Sequence, residues 1–283
     1  MQIKKLLEII DSALPAQSAA DGDKIGLQIH AGGEYAKRVL VAYEIDEDVI
    51  DEAAGMKCDC IISFHPLIYY PLQQIQSGDR AGRMCIKLIK HSISLIIIHT
   101  NFDVYPEGTS TIFAKKLGLE PQGFLVPSLK YPDRGMGIVA RPAMLMNSGE
   151  LLNLVTSLCY SPLRYCLGKS EKISKIAIVG GSGSSFLDSA IEQECDAFIT
   201  ADITYHKFHQ ANGKLLLIDP GHYEMEQFVA NEIASLIKSL DSEHELESLT
   251  VSGNYTNPVR YNPDKYTYSQ KKMNYLINNN ITV

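Results

Sequence analysis

Short apolar runs alternate with helix-like segments along this chain, and the alternation constrains the fold more than any other feature. The runs predicted as strands are residues 39–44, 60–64, 95–99, 137–140, 175–179, 197–200 and 215–219. Between several of them, apolar residues recur at the spacing of an amphipathic helix, as in residues 79–91, 147–159 and 222–240. Strands that alternate with helices predict an α/β fold with largely parallel sheet.

Composition excludes several classes of protein. The 283 residues are 45% hydrophobic, which favours a folded chain of one large or two modest domains. No apolar run approaches the ~20 residues of a membrane span. The first 15 residues read as an amphipathic helix and not as a secretory signal, so the expected compartment is the cytoplasm. A net charge of −7 makes nucleic acid an unlikely partner.

The six cysteines include no CxxC pair. The simpler interpretation is that they are reduced and serve as small hydrophobic residues. A thiolate zinc site is the alternative.

Potential metal ligands follow three of the predicted strands. His65 comes directly after 60–64, Asp103 follows 95–99, and His222 with Glu226 follows 215–219. Ligands of open α/β sheets bind beyond the carboxyl ends of the strands, so these side chains are expected in one crevice. His222 and Glu226 are also four residues apart on a predicted helix, so they share a face. Imidazole and carboxylate together suit Zn, Fe, Mn, Ni or Co.

Each of these residues also has an ordinary structural interpretation. A histidine after a strand is usually a satisfied polar residue, and a histidine–glutamate pair is usually helix surface. Asp103 could be the N-cap of a helix over 105–117. It is the combination of four residues from distant parts of the chain that favours a metal site, with open positions where an ion could activate water.

Two further segments are candidates for chemistry. Asp202 and His206 share a predicted helix face and could orient ligands or transfer protons, or they could simply lie on the surface of a capped helix. The Gly/Ser loop at 179–186 follows a strand and could offer backbone N–H groups to an anion, or it could be a tight turn with a serine cap.

Six ordered stretches resemble motifs of the NIF-three-like family, also called the GTP cyclohydrolase type 2 family or dinuclear metal-binding hydrolase-like proteins. They cover about residues 1–250, and they are DGDKIGLQI (21–29), SFHPLIY (63–69), IHTNFD (98–103), VGGSGSSF (179–186), ITADITYH (199–206) and DPGHYEMEQF (219–228).

The resemblance implies a fold and an assembly. It implies a NIF-three-like α/β fold of two interlocked three-layer modules with mainly parallel sheets, assembled as a homohexamer, a trimer of dimers. The corresponding boundaries are residues 1–125 with 205–252 for a metal-binding module, 126–204 for a second module, and 253–283 for a peripheral or partly disordered tail.

The resemblance also implies ligands at His65, Asp103, His222 and Glu226, holding one or two divalent ions per subunit. The family has a second histidine where this chain has Phe64. A phenyl ring cannot ligate, so we expect fewer than two tightly bound ions per chain. We expect the side chain at position 64 to point into the crevice, so that a histidine placed there would ligate.

The function implied is a metal-dependent hydrolase acting on a nucleotide or a related small-molecule substrate, with His206 or Asp202 transferring protons. The alternatives are a non-catalytic metal-binding or metal-insertion protein, and a regulatory scaffold. Metal-dependent turnover would distinguish the first from the others.

Overall fold

The computed structural model describes residues 1–31, 33–262 and Lys271. Its strands are β1 (Gly26–Ile29), β2 (Arg38–Ala42), β3 (Cys60–Ser63), β4 (Ser94–Ile97), β5 (Leu119–Pro127), β6 (Gly135–Pro142), β7 (Met146–Asn147), β8 (Arg164–Cys166), β9 (Lys172–Ile173), β10 (Ile176–Ile178), β11 (Ala197–Ile199), β12 (Leu216–Asp219) and β13 (Ser248–Val251). Its helices are α1 (Ile3–Ala13), α2 (Glu47–Gly55), α3 (Arg80–Lys90), α4 (Thr100–Asp103), α5 (Thr109–Lys116), α6 (Ser148–Cys159), α7 (Leu187–Glu192), α8 (Tyr205–Ala211), α9 (His222–Glu226) and α10 (Val229–Leu240). The predicted α/β class is confirmed.

The chain forms two compact units. The first comprises Met1–Phe102 and Val229–Thr256, and the second comprises Asp103–Phe228 with the described residues from Asn257 onward. These boundaries differ from the predicted ones, because residues 103–125 and 205–228 belong to the second unit. The proline- and glycine-rich stretch 120–135, in which the predicted boundary falls, forms β5 and the turn into its antiparallel partner β6.

The first unit has a five-stranded sheet in the order β1-β4-β3-β2-β13. The last four strands of that order run parallel, and β1 is antiparallel to β4. The interiors of β2, β3 and β4 are fully buried, which explains why they read as continuous apolar runs. Since β3 and β4 are parallel neighbours, the loops after them, with His65 and His99, leave the same edge of the sheet.

The second unit has a six-stranded sheet in the order β5-β6-β10-β11-β12-β8, beside the small pair β7-β9. Only β10, β11 and β12 run parallel to one another. The other pairings are antiparallel, so the expectation of mainly parallel strands holds for the first sheet and not for this one. A short connection such as the β5–β6 turn can join only antiparallel strands, which accounts for part of the difference.

The helix predicted over 222–240 is interrupted. It ends at Glu226 and a new helix begins at Val229. The side-chain amide of Gln227 donates to the carbonyl of Glu224, an acceptor that a continuous helix would reserve for the N–H of Phe228. The result is a separate five-residue helix, α9, with His222 at its first position and Glu226 at its last.

The predicted tail begins within the fold. Asn257 is buried, and its side-chain amide donates to Glu224 Oε1 at 3.0 Å, so this residue is not peripheral. Apart from Lys271, residues 263–283 of the predicted tail lie outside the described residues. Within the part of the chain that is described, no helix has the length and apolar character needed to cross a membrane.

Candidate functional site

His65 lies directly after β3 in the first unit, and a carboxylate fixes its orientation. Its Nδ1 is 3.3 Å from Glu44 Oε2, and Arg80 donates to the other oxygen of Glu44 at 3.0 Å. Burial opposes the charge of Glu44, but the contacts with His65 and Arg80 outweigh it and lower the pKa of that carboxyl. Because Nδ1 faces the carboxylate, Nε2 is the nitrogen through which His65 can bind a metal.

A second carboxylate–imidazole pair lies in the same unit. Nδ1 of His99 is 2.9 Å and 3.0 Å from the two oxygens of Asp23, which also accepts hydrogen bonds from the N–H and hydroxyl of Thr100. The Asp23 side chain is only 4% exposed. Burial disfavours its charge, yet the bonds from His99 and Thr100 prevail, and the pKa of Asp23 is lowered below its ordinary value.

Gln28 lies in the same motif as Asp23, residues 21–29, and it holds the loop that carries His65. Its amide oxygen accepts from the N–H of Ile68 and its amide nitrogen donates to the carbonyl of Ile68, both at 3.0 Å. A glutamine that satisfies both backbone groups of one residue acts as a rigid spacer. The motif at 21–29 therefore supports the loops after β3 and β4 without itself supplying one of the predicted ligands.

Phe64, the position expected to point into the crevice, is fully buried, and its ring lies 5.0 Å from that of His65 between centroids. Its ring stacks on Tyr43 with centroids 6.0 Å apart and packs edge-on against His99 and Phe102. The phenyl ring thus contributes aromatic core packing beside His99.

His222 and Glu226 lie in the second unit and face each other across one turn of α9. His222 Nε2 is 3.0 Å from Glu226 Oε2, and His222 Nδ1 is 2.6 Å from Asp202 Oδ2. Asp202 reaches this position with a left-handed backbone, at a φ of +54°. Burial lowers the pKa of His222, but the two carboxylates more than compensate and raise it to about 11. The imidazole therefore occupies a place that favours positive charge.

The Gly/Ser loop at 179–186 packs against this pair, and two of its backbone N–H groups are already bonded to side chains. The N–H of Gly180 donates to the hydroxyl of Ser110, and that of Gly183 donates to the hydroxyl of Thr200. The helix that follows, α7, has only six residues. A Cβ at Gly181 would lie 3.1 Å from His222 Nε2 and 3.2 Å from the carboxyl carbon of Glu226. The glycine thus leaves open the space in front of the two donor groups.

Asp103 ends α4, and it also belongs to the second unit. It is not the N-cap of α5, because Gly108 holds that position. Instead its Oδ1 accepts a hydrogen bond of 2.5 Å from the hydroxyl of buried Thr109. Thr109 in turn lies against Gly180, so Asp103 is linked by packing to the loop beside His222 and Glu226.

The structure separates the two residues predicted to transfer protons. Asp202 forms a hydrogen bond with His222. His206 is exposed on α8, and its ring is edge-on to that of Tyr205 with 5.7 Å between centroids. His206 therefore does not belong to the hydrogen-bonded pair that Asp202 forms.

The cysteines are confirmed as small hydrophobic residues. All six are free, and five of them are buried. Burial raises the pKa of the Cys58 and Cys195 thiols to about 11 and raises that of the others as well, so the free thiols stay protonated at neutral pH.

The sequence analysis missed Glu44, Thr109 and the buried pair formed by Glu224 and Asn257. A signal existed for Glu44, since it ends the apolar run 39–44 just as His65 follows the run 60–64. Thr109 and Asn257 gave none, because their roles arise from contacts between segments that are distant in the chain.

Known proteins are similar to this chain over most of its length. The Duf34/NIF3 (NGG1p interacting factor 3) family model matches residues 1–258. The GTP cyclohydrolase 1 type 2 homolog of Clostridium perfringens is 32% identical over 249 residues, covering 87% of this chain and 95% of that protein. The protein of the same name from Streptococcus pneumoniae is 31% identical, covering 84% and 90%.

Solved structures agree. The Staphylococcus aureus hypothetical protein SA1388 is 28% identical with a TM-score of 0.84, covering 92% of this chain and 99% of that one. A Bacillus cereus protein related to NIF3 has the same TM-score at 21% identity and supports the fold alone. The motifs, the fold and these matches lead to one conclusion: the chain belongs to the Duf34/NIF3 family.

Proposed function

We propose that this protein is a metal-dependent hydrolase acting on a nucleotide or a related small molecule. It binds one or two divalent ions per chain through His65, Asp103, His222 and Glu226, the ion being Zn, Fe, Mn, Ni or Co. The observation that carries the proposal is the pair formed by His222 and Glu226, with Asp202 behind the imidazole and Gly181 leaving space before it.

The donor groups of the second unit fit a divalent ion. His222 is bonded to Asp202 through Nδ1, which directs Nε2 towards Glu226. An imidazole held by a carboxylate in this way is the usual arrangement of a metal-binding histidine. Two carboxylates around one imidazole attract a cation, and imidazole with carboxylate oxygen suits the ions named above. The Glu226 side chain is 4% exposed, so its carboxylate lies beside Nε2 of His222 largely shielded from solvent.

The other two proposed ligands are held in ways consistent with this role. Glu44 orients His65 through Nδ1, as Asp202 orients His222. The hydroxyl of Thr109 donates to Oδ1 of Asp103 and fixes the orientation of that carboxylate. That these residues complete one centre is part of the proposal.

A bound divalent ion would supply Lewis acidity towards a substrate oxygen. The chain's own residues would do the rest. Asp202 would keep the proton on His222 Nδ1, so that Nε2 stays available as a ligand. His206, exposed on α8, is the proposed proton-transfer residue. The nucleotide substrate is proposed because the relatives at 31% and 32% identity carry the name GTP cyclohydrolase 1 type 2 homolog.

The test begins with anaerobic purification, elemental analysis and a panel of nucleotides assayed with and without added metal. His222→Gln and Glu226→Gln should weaken metal binding at least about 100-fold and abolish turnover, since each removes a ligand. The matched controls are His209→Gln and Glu192→Gln, which change exposed residues of the same unit and should leave both properties unchanged.

The outcomes distinguish the functions. Full metal content in either ligand variant would contradict the ligand set. Metal bound tightly without turnover on any member of the panel would favour a non-catalytic metal-binding or metal-insertion protein, or a regulatory scaffold. We also propose a homohexamer, for which light scattering should give a mass of about six chains, a closed symmetric assembly. A monomeric mass would exclude it.

A further inference from the structure

Three histidines of this chain are held in the same way. Nδ1 of His65 faces Glu44, Nδ1 of His99 faces Asp23, and Nδ1 of His222 faces Asp202. A carboxylate on one ring nitrogen fixes the orientation of the imidazole and makes the other nitrogen a better ligand. Two of the three rings are ligands in the proposed function, and the third has no role in it.

The third ring, that of His99, lies beside the first. The ring centroids of His65 and His99 are 5.4 Å apart, with the planes at 69°. Two imidazoles bound to one tetrahedral ion, with metal–nitrogen bonds of about 2.0–2.1 Å, have centroids roughly 5 Å apart. His65 and His99 follow the paired residues Ser63 and Ile97 of neighbouring parallel strands, and the spacing of their rings is compatible with a shared ion.

The carboxylate that holds His99 is more buried, and makes more hydrogen bonds, than a carboxylate in a surface ion pair. Asp23 is 4% exposed and uses both oxygens towards Nδ1, while His99 itself keeps 19% of its side chain exposed. Thr100 adds two more hydrogen bonds to the same carboxylate. A buried, fully bonded carboxylate behind a ring that reaches the surface holds that ring in one orientation.

We propose that His99 is a metal ligand, binding a divalent ion through Nε2 together with Nε2 of His65. Asp23 is its positioning residue. The inference rests on the proposed function, because it adds a donor to the same centre. It also offers an imidazole next to Phe64, whose ring packs against that of His99 and cannot ligate.

The test counts the imidazoles bound to cobalt. In the Co²⁺-loaded protein, each bound imidazole that keeps a proton on Nδ1 gives a strongly shifted proton signal that disappears in D₂O. His65, His99 and His222 should give three such signals. His99→Asn keeps an N–H donor near the position of Nδ1, and so the bond to Asp23, but it removes Nε2. It should lose one signal and weaken cobalt binding about 100-fold.

His91→Asn is the matched control, since His91 is exposed in the same unit, and it should keep all three signals. Two signals in the wild type, unchanged in His99→Asn, would overturn the inference while leaving the proposed ligands intact. No cobalt retained by the wild type would overturn the proposed function and the inference with it. The wild-type count decides the matter even if the variant fails to fold.

Discussion

Gly181→Ala tests the claim that an absent side chain keeps the site open. The residue has a φ of +60°, and a Cβ would lie 3.1 Å from His222 Nε2 and 3.2 Å from the carboxyl carbon of Glu226. Nonbonded heavy atoms settle at roughly 3.5 Å or more, so one of these groups must move. The carboxylate is the end of a flexible side chain and should swing away from Nε2. We expect metal binding to weaken about 10- to 100-fold, as when other supports of a metal site are disturbed.

Gly213→Ala is the matched control. Gly213 has a φ of +73° in the same unit, and a Cβ there would meet nothing within 4 Å. Both variants should lose about 1–2 kcal/mol of stability in urea unfolding, because both place alanine in the left-handed region. Only Gly181→Ala should weaken binding in a Co²⁺ titration. Equal affinities in the two variants would show that the ligand pair tolerates the methyl group, and the reasoning would be wrong.

Three further predictions concern buried groups. Because the pKa of Asp23 is lowered, its charge stabilises the fold above about pH 4 and this contribution is lost as the pH falls towards the folded-state pKa. Asp23→Asn should therefore cost about 2 kcal/mol at pH 7 and less in acid; a loss in urea unfolding that is independent of pH would contradict this. Asn257→Ala should cost about 1–3 kcal/mol, since it removes the amide from the buried Glu224 carboxylate, whereas Asn153→Ala at an exposed position should stay within about 0.5 kcal/mol. Phe64→His should raise the metal content measured by elemental analysis but destabilise the protein by about 2–4 kcal/mol, because the ring is fully buried; unchanged metal content would mean that a histidine at this position cannot reach the ion.

The sequence predicted the parts of the fold in which local pattern and burial coincide. The runs that became β2, β3, β4 and β12 are buried on both faces, so their apolar character is continuous and easily recognised. The four-residue spacing of His222 and Glu226 also predicted their contact, because it depends only on helix geometry.

The sequence did not predict features that depend on tertiary contacts. β5 has four consecutive exposed residues at 120–123 and contains two prolines and a glycine, so it reads as a loop until its pairing with β6 is known. The break after Glu226 depends on the Gln227 side chain capturing a backbone carbonyl, which periodicity does not reveal. The sequence also gives no indication of which carboxylates contact the Nδ1 atoms of the histidines. Asp23 is 76 residues from His99, and no local rule connects them.

Two residues of the motif at 21–29 make distant contacts that hold the loops after β3 and β4. Asp23 fixes the ring that follows β4, and Gln28 fixes the loop that follows β3, through both backbone groups of Ile68. Both residues flank the start of β1, the strand that pairs with β4 at the edge of the sheet. One short segment therefore sets the position of His99 and of the loop that begins at His65. The parallel pairing of β3 and β4 brings the two rings to 5.4 Å between centroids, and hydrogen bonds from this one segment hold the loops that carry them. A centre that required both imidazoles would depend on that segment even though it supplies neither of them.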